Sequence, residues 1–156
     1  MSAERKIQEL HLTLPPMPKK PAGIYKPVVI IGNLAYVSGH GPLLPDGTMI
    51  TGRLGDTMDL EAGQKAARQV GLAILSALRA SLGSLDRVKR VIKTLGMVNA
   101  TPTFTQHPAV INGYSQLMAE VFGEDHGVGA RSAVGMGSLP GNIAVEIEVI
   151  VEITPS

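Results

Sequence analysis

Cysteine and tryptophan are both absent from the 156 residues, and three Tyr and two Phe are the only other aromatic rings. Without cysteine there is no disulfide, no thiol nucleophile and no thiolate metal ligand. So few rings leave little for stacking on bases. Charge is scarce too: 14 Lys and Arg against 13 Asp and Glu leave a net charge of +1, with 17% of residues charged. That balance supplies no general attraction to nucleic acid or to an anionic membrane. No apolar run approaches membrane-spanning length, and the first ten residues are charged where a signal peptide would be apolar. The expectation is a soluble cytoplasmic protein with neither a nucleic-acid nor a membrane partner.

What is present suits one compact domain. A chain of this length buries roughly two thirds of its unfolded surface, and 44% of its residues are hydrophobic. Few charges on a small molecule point to oligomer interfaces, because such a monomer has trouble covering itself. Residues 1–22 read as an arm: a short helix over Ser2 to Leu12 capped by Ser2, then an extended stretch set by Pro15, Pro16, Pro18 and Pro21. Residues 23–156 read as the domain. Val28–Ile31 and Leu34–Val37 flank Gly32-Asn33, a two-residue hairpin turn. Asp46-Gly47 marks a second turn before a short strand around Thr48 to Ile50. Asp59 or Thr57 caps a long helix to Leu82, with Ala62, Ala66, Val70, Ala73, Ile74, Ala77 and Leu78 on one stripe and Gly83 as its stop. Val88 to Val98 reads as a strand whose Arg87, Lys89, Arg90 and Lys93 suit a solvated edge. A second helix runs from about Pro108 to Phe122, and a glycine-rich loop spans Gly123 to Gly129. Two helices over one face of a mostly antiparallel sheet make an α+β fold.

The stretch from Arg131 to Ile153 organises the rest. Ile143, Val145, Ile147, Val149, Val151 and Ile153 alternate with Ala144, Glu146, Glu148 and Glu152, the period of a half-buried strand. Arg131 to Met136 alternates in a shorter form. Between them Gly137-Ser138-Leu139-Pro140-Gly141-Asn142 is rich in turn formers, which predicts a hairpin with Arg131 directly opposite Glu146. By itself that is a solvent-facing ion pair worth roughly 0.2–1 kcal/mol.

Other chemistry finds little support. The glycines at 135, 137 and 141 precede a strand, so no helix N-terminus receives a phosphate. His11, His40, His107 and His126 lack metal-ligand spacing, and Ser38 lacks the frame of a nucleophile elbow. There remain a guanidinium, the best planar partner for a carboxylate, and a carboxylate able to hold and polarise a water. Together they suit a small carboxylate-bearing substrate that reacts with water.

Four segments resemble the reactive intermediate deaminase family, RidA-like and also called L-PSP endoribonuclease-like. They are Gly23-Ile24-Tyr25, Leu34 to Pro42, Leu85 to Val91, and Ala130 to Gly135 continuing through Leu139-Pro140 to Glu148. The resemblance implies a chorismate-mutase-like fold, a homotrimer and a site in each cleft between subunits. It implies that Arg131 binds a substrate carboxylate and Glu146 positions water. Tyr25, Gly39, His40, Asn112 and Ala133 then line the substrate site, Gly39 and Ala133 through their backbone. The implied activity is hydrolysis of 2-imino or enamine acids, such as 2-aminoacrylate, to 2-keto acids and ammonia, with no cofactor and no metal. The arm is longer than in compact members, the spacing from Asn112 to Tyr114 is one residue short, and the Tyr114 to Arg131 stretch is long. Two other functions stay open at this stage: non-catalytic binding of small carboxylate metabolites in the same cleft, and a ribonuclease activity that low charge and few aromatics speak against.

Overall fold

The computed structural model describes residues 2–156. Its elements in chain order are α1 (Ala3–Glu9), β1 (Val28–Ile31), β2 (Leu34–His40), α2 (Leu60–Leu82), β3 (Val88–Asn99), α3 (His107–Phe122), α4 (Glu124–Gly127), β4 (Ala130–Met136) and β5 (Val145–Ile153). The strands form one sheet in the order β1-β2-β5-β3-β4, antiparallel except for the parallel β3–β4 pair. Helices α2 and α3 pack side by side on one face, giving the α+β architecture that the periodicities predict.

Local signals account for most of these boundaries. The Asp59 carboxylate accepts from the Ala62 amide at the start of α2, and Gly83 ends it in the left-handed region at φ 84°. The alanine stripe lies on the sheet, with Ala66, Val70, Ile74 and Leu78 all essentially buried. Helix α3 then crosses close to α2. A Cβ on Gly113 would run into the Gln64 backbone, so this contact requires glycine. Gly32-Asn33 closes the β1–β2 hairpin with Ile31 paired to Leu34. In β5, Val145, Ile147, Val149, Val151 and Ile153 all point under the helices and are buried.

The arm is packed down. Ser2 caps α1 at the Arg5 amide, and Ala3 and Ile7 join the core. The Glu4 carboxylate takes Arg79 at 2.6 and 3.1 Å and the Leu85 amide at 2.9 Å, while the Ser2 hydroxyl and Glu4 amide donate to Asp86. Farther along, the Ser76 hydroxyl donates to the Pro15 carbonyl.

The hairpin of Arg131 to Ile153 does not form as expected. β4 pairs with β3, Arg131 beside Thr94, and β5 lies on the other side of β3, Glu146 beside Met97. The turn formers at 137–142 do reverse the chain, including a short 3-10 turn at Pro140–Asn142, but the connection steps across β3 before the strand resumes. Helix α3 explains why: β3-α3-β4 is a crossover unit, which brings β4 back parallel to β3. The hairpin register would also put Val134 and Met136 on the core face with Ile143 and Val145, and this fails in β4. There Arg131, Ala133 and Gly135 face the helices, and Val134 and Met136 face away. Space sets this, since a Cβ on Gly135 would strike the His107 ring. Two smaller expectations shift as well. Thr48 to Ile50 makes only isolated bridges, Leu43 with Met49 and Thr51 with Ile143, and the Gly123–Gly129 loop contains the single turn α4.

The sheet face away from the helices is uncovered. Val29, Ile31, Tyr36 and Val134 are exposed on it, Leu95 and Ile150 half-buried. Lys93, Glu148 and Ser38 share a shallow concavity of about 540 Å³ with the apolar residues there.

Candidate functional site

The residues singled out above fall into two groups rather than one. The first is built on α3 and β4. Arg131 pairs with Thr94, whose hydroxyl meets the Tyr114 hydroxyl of α3 at 3.1 Å, so both side chains lie on the helix side of the sheet. Arg131 Nη1 donates to Asn112 Oδ1 at 2.8 Å and to Ser115 Oγ at 3.0 Å, and Nη2 reaches the Pro108 carbonyl at 3.4 Å. Among the described residues no carboxylate pairs with it. Asn112, Ser115, Thr94 and Arg131 line a pocket of about 250 Å³ with Gly127, Val128 and Gly129. Ala133, two residues along β4, pairs with Gly96. Burial of Tyr114 raises its hydroxyl to a pKa of about 12, the Thr94 hydrogen bond opposing that rise in part. It is a structural phenol.

The second group is built on β2 and β5. Glu146 is half-buried on the face away from the helices, and its carboxylate lies against Gly39, where a Cβ would collide with it. Burial raises the pKa of Glu146, and the neighbouring charge of Glu148 raises it further. The segment carrying Tyr25 is tied beside them: the Ser38 hydroxyl donates to the Lys26 carbonyl at 2.6 Å, and the Ser38 amide to the Pro27 carbonyl at 2.9 Å. Tyr25 itself is 49% exposed and Ile24 wholly so. His40 pairs with Ile147, a core residue, after a bulge between Val37 and His40. Its Nδ1 sits 2.6 Å from the Ser38 carbonyl and must be the donor there, since a carbonyl only accepts. Burial lowers its pKa against the raising effect of that bond, which favours the neutral ring.

Opposite parity on β3 separates the groups. Residues 94 and 97 lie three apart with no irregularity between them, so Arg131 and Glu146 project from opposite faces of the sheet. Tyr25 precedes the edge strand β1, and Arg131 lies on the opposite edge strand, β4. Sequence reasoning missed Ser115 and the Pro108 carbonyl. Their signal was spacing: 108, 112 and 115 fall on one face of a helix. The described residues hold no cluster of three or more His, Asp or Glu fit for a metal ion.

A family model described as YjgF/chorismate mutase-like matches residues 5–151. The chain belongs to this family. Protein TCP17 of Trypanosoma cruzi is 43% identical over 94% of this chain and 91% of its own. The 2-iminobutanoate/2-iminopropanoate deaminase of Dermatophagoides farinae is 32% identical over 88% of this chain and 92% of its own. The crystal structure of protein Atu1372 from Agrobacterium tumefaciens superposes with a TM-score of 0.87 at 44% identity, covering 97% of this chain and 92% of the other. The likeness to that structure therefore runs through nearly the whole chain. No described helix is long and apolar enough to cross a membrane.

Proposed function

We propose that the protein hydrolyses 2-imino and enamine acids to 2-keto acids and ammonia, in a cleft completed between copies of the chain in a homotrimer. The observation that carries this reading is the division of the site. Arg131 and Glu146 point from opposite faces of one sheet, and Tyr25 and Arg131 sit at opposite edges. A closed ring brings the β4 edge of one copy to the β1–β2 end of the next, so one substrate meets both groups. The uncovered apolar face supports the association, and the named deaminase relative supports the chemistry.

Each residue then has a task. Arg131 takes the substrate carboxylate with paired hydrogen bonds. Gly39 and Ala133 offer backbone groups, and Tyr25, Asn112 and His40 line the pocket. Glu146 is a stronger base than an exposed glutamate because burial and Glu148 raise its pKa. It removes a proton from water as the oxygen adds to the imine carbon. The imine nitrogen enters protonated (an enamine acid first takes a proton at C3), so addition leaves a neutral carbinolamine. Glu146 returns its proton to that nitrogen, and the carbinolamine hydroxyl gives up its own proton to solvent as the C–N bond breaks and ammonia leaves. Water supplies the oxygen of the keto acid, so no cofactor is called for.

The test generates 2-iminobutanoate enzymatically and follows ammonia release. The protein is expected to accelerate release over buffer, and Arg131→Ala and Glu146→Gln each to abolish the gain. Mixing the two inactive variants in equal amounts and letting subunits exchange restores about a quarter of the activity if each site takes one residue from each copy. No restoration after exchange sinks the shared site. No acceleration by the wild type sinks the deaminase reading, and carboxylate binding without turnover then favours a metabolite binder.

A further inference from the structure

We infer that Ser115 and Asn112 are positioning residues that hold Arg131 in a cradle of neutral oxygens, leaving one fork of donors for a single carboxylate. The inference rests on the carboxylate site proposed above. Three acceptors come from one face of α3: the Pro108 carbonyl, Asn112 Oδ1 and Ser115 Oγ. A guanidinium has five N–H donors. Nη1 makes two of these bonds and Nη2 the third and longest, while Nε has no partner among the described residues and Nη2 keeps a second hydrogen for a ligand. Nε and Nη2 flank the same carbon, and two such donors match the two oxygens of one carboxylate side-on.

Neutrality of the cradle matters as much as its shape. A buried or half-buried Arg usually meets a carboxylate, which fixes it but cancels its charge toward any ligand. Here the acceptors fix the planar group through dipoles, and the full positive charge stays available to the pocket that Arg131, Asn112 and Ser115 line. Among the described residues no second cation lines that pocket. One cation and one open fork select a small mono-acid, and a second carboxylate on the ligand finds no partner here. Asn112 then holds Arg131 as well as lining the pocket, and Ser115 acts with it.

Two measurements separate this from a merely structural role: calorimetric titration with 2-oxobutanoate, and steady-state kinetics on 2-iminobutanoate. Ser115→Ala is expected to raise both Kd and KM about tenfold with kcat within about twofold, since an oriented charge-assisted donor pair is loosened. Ser115→Thr, which keeps the hydroxyl, restores both constants. Asn112→Asp places an anion on Nη1 and is expected to weaken binding about a hundredfold, as strongly as removing a charged partner does. Unchanged melting temperatures show that these variants fold. Wild-type Kd in Ser115→Ala and Asn112→Asp, with binding lost in Arg131→Ala, overturns the cradle. Binding without turnover in the wild type defeats only the deaminase reading, because the Kd series still decides the cradle. Failure of the wild type to bind 2-oxobutanoate overturns the cradle, while the ammonia-release kinetics alone decide the deaminase reading.

Discussion

Gly39 has room for a hydrogen and nothing larger, because the Glu146 carboxylate occupies the place of a Cβ. The obstructing atoms are the tip of a flexible side chain, so Gly39→Ala is relieved by moving Glu146 rather than by disturbing the sheet. The expected outcome is a melting temperature nearly unchanged and kcat down at least about tenfold, the effect of displacing a base from its reacting atom. Glu148 offers a finer test. Its charge adds to burial in raising the pKa of Glu146, so the base is protonated at a higher pH than an ordinary glutamate. Removing that charge with Glu148→Gln lowers the pKa, and the acid limb of the kcat/KM profile moves to lower pH. A limb that stays in place rules out Glu146 as the titrating base. At this scale the sequence was informative about residue type and silent about direction. Arg131 and Glu146 stand out as a donor fork and a carboxylate, but their faces depend on the strand between them, which lies more than thirty residues away in the chain.

Helix α2 shows what an element's own sequence can specify. Its cap, its alanine stripe and its glycine stop are local, and Leu60–Leu82 follows from them. The packing of α2 on α3 was hidden, since nothing near Gly113 announces that the Gln64 carbonyl lies against it. Gly113→Ala is expected to destabilise the fold by about 1–3 kcal/mol, measured by urea unfolding, because the obstacle is backbone and cannot swing aside. The strands β4 and β5 misled for a related reason. A run of turn residues shows that the chain reverses, but not which strand it returns to, and here β3 already fills the place beside β4. Helix α1 gives a prediction with a sign. Burial acts to raise the pKa of Glu4, yet Arg79 and the Leu85 amide outweigh it, so the folded value lies below the unfolded one. The stability this adds is complete above the unfolded glutamate value of about 4.3 and is lost as pH falls through the folded value. Glu4→Gln is expected to lower stability by about 1 kcal/mol at pH 7, a difference that shrinks in acid.

For the whole molecule, the feature that bears on the proposed assembly is the uncovered sheet face. Tyr36, Leu95, Ile150 and Val134 form an apolar surface interrupted by Lys93 and Glu148, which a solitary molecule would leave in water. In the proposed trimer this surface is buried, and Leu95→Glu is expected to yield monomers by sedimentation velocity, with activity lost because each half-site then stands alone. A trimer that persists and stays active contradicts that arrangement. The scarcity of charge in the sequence hinted at such a face, but only the five-strand order shows which side of the sheet it is. That order also governs when the molecule can fold. β5 follows the other four described strands in the chain, yet it sits at the centre, paired with β2 on one flank and β3 on the other. Until it emerges from the ribosome, the β1–β2 hairpin and the β3-α3-β4 unit share no strand pairing, and their apolar edges face an empty slot. Without β5 the chain thus holds two unjoined sets of strands, and the nine residues of Val145–Ile153 are what pairs them into one sheet.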